Sequence, residues 1–331
     1  MVEPRIVVAG AGAVGCFVGG LLAAAGRDVV LLGRARLVEE LGAAGLRLSD
    51  VSGRGWEAAP EVTADAAVLA RAEVVLVCVK SGATEEMGRI VATHAPAGAV
   101  VVSLQNGVRN ADLLRACLPG REVRAGMVGF NVVALGAGRY HRSTSGEVLI
   151  GAGDAALAAV LSVPGLRVDA VGDIAAVQWG KLLLNLTNAV NALSGLPLRD
   201  MLLDRRWRRV MAAQMDEALT VLRAAGIVAR VPAKAPGWAI PYVLRLPTGL
   251  FRLVAAPMLA VDGTARTSMV ADLEAGRTTE IEEFQGEVLR LAAARRLAAP
   301  VTERVRAAVK RAERDGLQPV EPEALLAGRE S

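Results

Sequence analysis

The chain has 331 residues, 53% of them apolar, with 38 Lys+Arg against 34 Asp+Glu and a formal charge of +4. That length and apolar content suit two domains, each with a full hydrophobic core. A small net charge with no basic block, and aromatic residues at only 3%, exclude a nucleic-acid-binding class, which needs a basic footprint or a stacking platform.

In chain order, the first apolar segment runs from Ile6 to Ala25. Its glycines, its small residues and the immediate restart at Asp28 make it a poor secretory signal. Short β-branched runs follow at Arg5–Ala9, Asp28–Leu32, Glu73–Val79, Ala99–Leu104 and Glu122–Val128, separated by helical stretches such as Ala13–Ala25 and Thr84–His94. Near-continuous apolar strands alternating with helices predict a parallel sheet covered on both faces. Arg139–Ile150 and Leu166–Val171 read as shorter, hairpin-like strands. From Asp173 the strand signal vanishes, and Asp173–Leu193, Asp204–Ala225, Thr279–Leu297 and Val301–Arg314 read as helices. Pro232–Pro247 reads as a loop or a break between helices. The apolar stretch Val243–Val261 is interrupted by Arg245, Pro247, Arg252 and Pro257, so it fails the requirement of about 20 uninterrupted apolar residues for a membrane span. The tail after Gly316 reads as frayed. Three scattered cysteines (Cys16, Cys78, Cys117) form no disulfide framework and suggest a reducing, cytoplasmic setting. His94 and His141 are the only histidines, and no metal site is expected from their spacing.

Val7-Val8-Ala9-Gly10-Ala11-Gly12-Ala13-Val14-Gly15 is a strand entering G-x-G-x-x-G and then a helix. Gly10 allows the tight turn, Gly12 lets a pyrophosphate approach the backbone, and Gly15 lets helix and strand pack closely. Glycines also punctuate ordinary turns, but here the flanking strand, helix and second strand all fit a dinucleotide site. The expected architecture is therefore an N-terminal Rossmann-type α/β domain over residues 1–172, followed by an all-α domain over residues 173–331. After the second strand comes Gly33-Arg34 rather than an acidic residue, and a guanidinium suits the 2′-phosphate of NADPH. Lys80, one of four lysines with Lys181, Lys234 and Lys310, follows the next strand run at the edge where ligands bind in open α/β sheets. Gln105-Asn106-Gly107 follows the strand after that, so Asn106 occupies the same edge or is simply an Asn-Gly turn.

The first helix beyond the boundary carries Lys181, Asn185 and Asn188 within an apolar sequence. At 100° per residue, Asn185 falls about 40° to one side of Lys181 and Asn188 about 20° to the other, which gives a single polar stripe. Asn191 lies about 80° off it. A desolvated lysine has a lowered pKa and suits a general acid, although the stripe also fits a structural polar network or a dimer contact. Further on, Ser268 sits at a helix start, and Thr279 with Glu282 reads as a capping box for a second one. On one straight helix Ser268 and Glu280 would be about 18 Å apart, so a break at Gly276-Arg277 would be needed for both to serve one site.

These residues together resemble the ketopantoate reductase (2-dehydropantoate 2-reductase) family over almost the whole chain. The resemblance rests on Gly10–Gly15 with Ala13, Arg34, Val79-Lys80, Gln105-Asn106-Gly107, the W-x-K-L-x-x-N run of Trp179, Lys181, Leu182 and Asn185, and the S-M-x-x-D-x-x-x-x-R-x-T-E run of Ser268, Met269, Asp272, Arg277, Thr279 and Glu280. It implies a Lys181 proton donor, a substrate held by Asn185, Asn188 and Ser268, Glu280 near substrate or cofactor, and Asn106 beside the nicotinamide and substrate. It also implies NADPH along Gly10, Ala11, Gly12, Ala13, Val14 and Gly15, with Arg34 and Lys80 near the adenosine phosphate, and a place in pantothenate biosynthesis. The family's second helix asparagine falls at Ala189 here, with Asn188 just before it. The expected reaction is NADPH-dependent reduction of 2-dehydropantoate or, on the alternative reading, of another 2-oxo acid or an imine. A non-catalytic NADP-binding sensor is the reading from a different class. A small-molecule partner is expected, with no nucleic acid and no membrane, and the apolar helical half is compatible with a homodimer.

Overall fold

Twelve short strands and fifteen α-helices are built from these runs in a computed structural model that describes residues 4–153, 155–231, 236–259 and 267–327. Lys234, the start of the Pro232–Pro247 break and the end of the Val243–Val261 stretch lie outside the described residues. The described chain separates into two compact units, one ending at Ala175 and the other beginning at Ala176.

In the first unit the strands are β1 (Ile6–Ala9), β2 (Val29–Leu32), β3 (Leu46–Asp50), β4 (Gly55–Ala58), β5 (Glu61–Thr63), β6 (Val74–Val77), β7 (Val100–Ser103), β8 (Val123–Val128), β9 (Val132–Gly136), β10 (Arg139–Arg142), β11 (Val148–Gly151) and β12 (Val168–Val171). Its helices are α1 (Ala13–Ala24), α2 (Ala35–Ala44), α3 (Thr84–His94), α4 (Asn110–Cys117) and α5 (Ala155–Leu161). Eight strands form one sheet in the order β12-β11-β8-β7-β6-β1-β2-β5. All of its neighbours are parallel except β8 and β11. Alternate residues of β1, β2 and β6 enter two separate cores. Ile6, Val8, Leu31 and Leu76 meet Phe17 and Leu21 of α1, while Val7, Ala9, Val30 and Val75 meet Val91 of α3 and Leu114 of α4. Both faces are covered, which is why these strands read as unbroken apolar runs. The chain leaves β1 toward β2 on one side and later returns to β6 on the other, so the strand order reverses beside β1. In open α/β sheets that reversal opens the ligand crevice at the carboxyl ends of the strands.

A second sheet, β4-β3-β10-β9, was not anticipated. Its β3 does alternate, with Leu46, Leu48 and Asp50 buried and Arg47 exposed, but its parallel partner β10 lies far along the chain.

In the second unit the helices are α6 (Ile174–Ser194, which begins in the first unit), α7 (Leu198–Leu203), α8 (Arg205–Ala224), α9 (Ile240–Arg245), α10 (Thr248–Val254), α11 (Ala256–Leu259), α12 (Ser268–Glu274), α13 (Glu287–Ala294), α14 (Pro300–Asp315) and α15 (Pro322–Leu326). The helix α8 packs against α7, α9, α13, α14 and α15. Its Arg208 is fully buried and donates to the carbonyls of Leu202, Leu203, Leu244 and Leu246, while its guanidinium lies 4.2 Å from the Phe251 ring centroid. One arginine thus satisfies the orphan carbonyls at the ends of α7 and α9. Two expectations are corrected. The Pro232–Pro247 region holds α9, because Pro241 falls in the helix's first turn, where a missing N–H costs nothing. The chain after Gly316 is not frayed at first: Leu325 of α15 is buried, and Arg304 Nε donates to its carbonyl at 2.8 Å.

Candidate active site

In the first unit the carboxyl ends of β1, β2, β6 and β7 carry Gly10, Arg34, Lys80 and Asn106. At Gly10, φ is +102° and a Cβ would meet the backbone N and Cγ1 of Val79 at 2.5 Å. At Gly15 a Cβ would run into the Gly10 carbonyl and sit 3.2 Å from Cys78 Cβ. At Gly12 a Cβ would meet nothing within 4 Å. The outer two glycines therefore answer the protein's own packing, while the middle one borders open space. Gly12 is also the N-cap of α1, and no side chain caps that helix. The first-turn N–H groups at Ala13 and Val14 have no partner within the helix, and an anion suits them. A dinucleotide pyrophosphate fits this turn.

Arg34 follows Gly33 directly, is exposed, and occupies the N-cap position of α2, whose first turn holds no acidic residue. Lys80 is exposed and lies three residues beyond β6, which ends at Val77 rather than at Val79 as expected. Asn106 is half-buried, and its backbone carbonyl is held: Asn110 Nδ2 donates to it at 2.6 Å and Ser81 Oγ at 3.3 Å. The buried side chains beneath it were not singled out from the sequence. Gln105 Nε2 donates to the Val79 carbonyl at 3.0 Å and to Thr84 Oγ1 at 2.6 Å; Thr84 then donates to Asn110 Oδ1 at 2.8 Å. This chain of bonds fixes the loops after β6 and β7 to each other, so the Q-N-G run is more than a turn. No local pattern signalled it, because Thr84 lies 21 residues from Gln105 in the chain.

In the second unit Lys181, Asn185 and Asn188 are all half-buried, while Leu182, Leu183, Leu186, Ala189 and Val190 of α6 are buried. The stripe is thus the helix's accessible side. Gly180 has a packing reason of its own, because a Cβ there would strike the carbonyl of Arg230. The segment carrying Arg230 is held by its N–H donating to the Ala176 carbonyl at 2.8 Å. Burial pulls the Lys181 ammonium down to a pKa of about 8, against the attraction of the Glu280 carboxylate, which raises it. A lysine so placed holds a proton at neutral pH and releases it readily.

Asn191, fully buried, ties the stripe to Ser268. Its Nδ2 donates to the Leu196 carbonyl at 2.8 Å, and its Oδ1 accepts from the Thr267 N–H at 3.2 Å. Thr267 Oγ1 donates to the Asn188 carbonyl at 3.3 Å. Exposed Ser268, the next residue, therefore starts α12 beside the Asn188 end of the stripe. The break at Gly276 is present, with φ at +61°, and is secured by the Arg277 N–H to the Asp272 carbonyl at 2.8 Å and Arg277 Nε to Asp272 Oδ1 at 3.0 Å. Glu280 follows and acts on Lys181. Between residues 181 and 188 an α-helix rises only about 10 Å, so Ser268 and Glu280 flank opposite ends of one short stripe.

The expected capping box is not formed. The Thr279 N–H donates to Glu313 Oε1 of α14, whereas Glu282 pairs with Arg306. The expected continuous helix Thr279–Leu297 opens instead with a π-turn at Glu282–Gly286 before α13. Half-buried Glu283 was also missed. Burial, with the charges of Glu280 and Glu282, raises its pKa, although its own backbone and Lys310 oppose that. The run Glu280-Ile281-Glu282-Glu283 was the visible signal.

The chain matches the profile of ketopantoate reductase PanE/ApbA over residues 6–155 and that of the ketopantoate reductase PanE/ApbA C-terminal region over residues 173–313. It is 30% identical over 321 residues to a 2-dehydropantoate 2-reductase of Halobacterium salinarum, covering 94% of this chain and all of that one. It is 28% identical over 299 residues to one of Archaeoglobus fulgidus, covering 86% of this chain and 90% of that one. The crystal structure of a PanE/ApbA family ketopantoate reductase from Ralstonia eutropha superposes with a TM-score of 0.81 at 31% identity, covering 93% of this chain and 98% of that one. Both halves of the fold and both motif-bearing segments thus fall under one description: this chain is an oxidoreductase of the ketopantoate reductase PanE/ApbA family.

Proposed function

We propose that the protein reduces the keto group of a 2-oxo acid with NADPH, that 2-dehydropantoate is the substrate, and that Lys181 is the acid. The observation that carries this reading is a lysine held at a pKa of about 8 on the accessible side of an otherwise apolar helix, beside two asparagines. A reduced nicotinamide cofactor, once bound, supplies the hydride to the keto carbon. The chain's own residues do the rest. The turn from Gly10 to Gly15 binds the pyrophosphate, and Arg34 with Lys80 supplies cations for an adenosine 2′-phosphate. Lys181 gives its Nζ proton to the oxygen that becomes the alcohol, so hydride and proton together convert C=O to CH–OH. Asn185, Asn188 and Ser268 orient the carboxylate and hydroxyl of the substrate. Glu280 keeps Lys181 charged, and Asn106 contacts the nicotinamide end. Such an enzyme with three scattered thiols suits the cytoplasm.

Ala189 stands where the family places its second helix asparagine, and this favours a second reading: a relative acting on a different 2-oxo acid or an imine. Steady-state rates with NADPH over a panel of 2-oxo acids decide between them, since 2-dehydropantoate should give the highest kcat/KM. Replacing Lys181 by Ala should lower kcat at least about a hundredfold while NADPH binding, followed by fluorescence, is kept. Near-normal turnover in that variant contradicts the assignment. Binding of NADPH with no turnover of any 2-oxo acid would instead favour a sensor.

A further inference from the structure

We propose that Glu313 of α14 is a positioning residue for Glu280, fixing the direction of that carboxylate by gripping the residue before it. The inference rests on the reading in which Lys181 is the acid and Glu280 its electrostatic partner. Glu280 lies in a bend between α12 and the π-turn. Its two neighbours are pinned. Thr279 is buried, and both its N–H and its hydroxyl donate to Glu313 Oε1, at 2.9 and 2.7 Å. Ile281 is fully buried, and its N–H donates to Thr279 Oγ1 at 3.3 Å.

The grip is itself braced. Lys310 Nζ lies 3.0 Å from Glu313 Oε2 and 3.6 Å from Glu282 Oε1, and Arg306 reaches Glu282 at 2.8 Å. Glu282 folds back over Gly286, where a Cβ would meet its Oε2 at 2.5 Å, so a side chain at that position of the π-turn would displace the carboxylate. A carboxylate accepting N–H and O–H together makes charge-assisted bonds stronger than neutral ones. Burial disfavours the Glu313 charge, but its bonds from Thr279 and Lys310 prevail and hold its pKa below the ordinary value. It therefore stays an anion through the neutral range. The charged groups about the segment are Glu280, Glu282, Glu283, Arg306, Lys310 and Glu313, with Lys181 across from Glu280.

A mere helix cap would stabilise α13 and leave the titration of Lys181 alone. A positioning residue would not. Once Thr279 is released, Glu280 samples other rotamers, its attraction on Lys181 weakens, and the lysine loses its proton at lower pH. The test is the pH profile of kcat/KM for NADPH-dependent reduction of 2-dehydropantoate by the full chain. E313A should move the alkaline limb down by at least about half a pH unit, with kcat well below the Lys181 pKa changed much less. E313Q keeps an Oε1 acceptor for Thr279 and should leave the limb near its wild-type position. T279V, which removes the hydroxyl bond and spares the N–H, should give a smaller shift in the same direction. It serves if E313A proves too unstable to purify. If E280Q moves the limb while E313A and T279V do not, the positioning role is overturned. If E313Q shifts the limb as far as E313A does, the effect is one of charge and the inference fails. If E280Q itself leaves the limb in place, the pairing with Lys181 is wrong and the inference falls with it.

Discussion

Gly10 and Gly15 are glycine because the protein's own atoms fill the place of a Cβ, whereas nothing in the protein excludes one at Gly12. The open position therefore leaves room for the pyrophosphate proposed to bind at this turn. The same logic applies to the residue after β2. Arg34 touches no carboxylate in the first turn of α2 and is exposed, so its role has to be sought in what it meets when a cofactor binds. An exposed guanidinium bonded to a phosphate contributes a charge-assisted contact of roughly 1.5 kcal/mol, a little over tenfold in affinity. Replacing Arg34 by Ala should therefore raise KM for NADPH about tenfold and leave KM for NADH nearly unchanged, because NADH lacks the 2′-phosphate. Steady-state kinetics with both cofactors check it. An equal loss with each would place Arg34 away from the phosphate and leave Lys80 as the cation to examine.

At the scale of elements, α6 and α12 act as one frame. The buried amide of Asn191 bonds to the Leu196 carbonyl and the Thr267 N–H, and so sets where the Ser268 helix begins. Asn191→Ala would take the partner from two part-buried backbone groups, at a cost of about 1 kcal/mol for each bond lost. The melting temperature should fall accordingly, and KM for the 2-oxo acid should rise severalfold with a smaller change in kcat, since Ser268 shifts while Lys181 stays. Unchanged KM would detach Ser268 from the substrate. Asn191 also shows how far the sequence could be read. The glycine turn, the lysine stripe and the break at Gly276 were legible because helical period and glycine sterics are local rules. The groups that hold these pieces were not, because their partners are remote. Thr279 is capped from 34 residues away, Gln105 binds Thr84 across 21, and β3 pairs with β10 across 92. The capping-box pattern at Thr279 and Glu282 was a correct sign that a helix begins there. It named the wrong acceptor because Arg306 and Lys310 claim Glu282 first. The π-turn at Glu282–Gly286, where Glu282 lies over Gly286, is likewise displayed by no periodicity.

At the scale of the whole molecule, the proposed acid works against stability. The Lys181 pKa is drawn from 10.5 to about 8 chiefly by desolvation, with Glu280 offsetting only part of it. The unfolded chain therefore holds that proton more tightly than the folded one. Folding is penalised at every pH below about 8, and the penalty is relieved as pH rises from there to 10.5. At 1.36 kcal/mol per pH unit its full size is at most about 3 kcal/mol, and the partial exposure of Lys181 brings it lower. Methionine has similar length and no charge. Lys181→Met should thus raise the melting temperature at neutral pH by roughly 2–4 °C for each kcal/mol recovered, while kcat collapses as in the alanine variant. The advantage over the wild type should shrink as the melts are repeated above the Lys181 pKa, because there the wild-type lysine is already neutral when folded. A variant that melted lower than the wild type at neutral pH would mean that the ammonium is well compensated by its surroundings. In that case the position would be better described as a structural ion pair with Glu280 than as a proton donor held ready for a ketone.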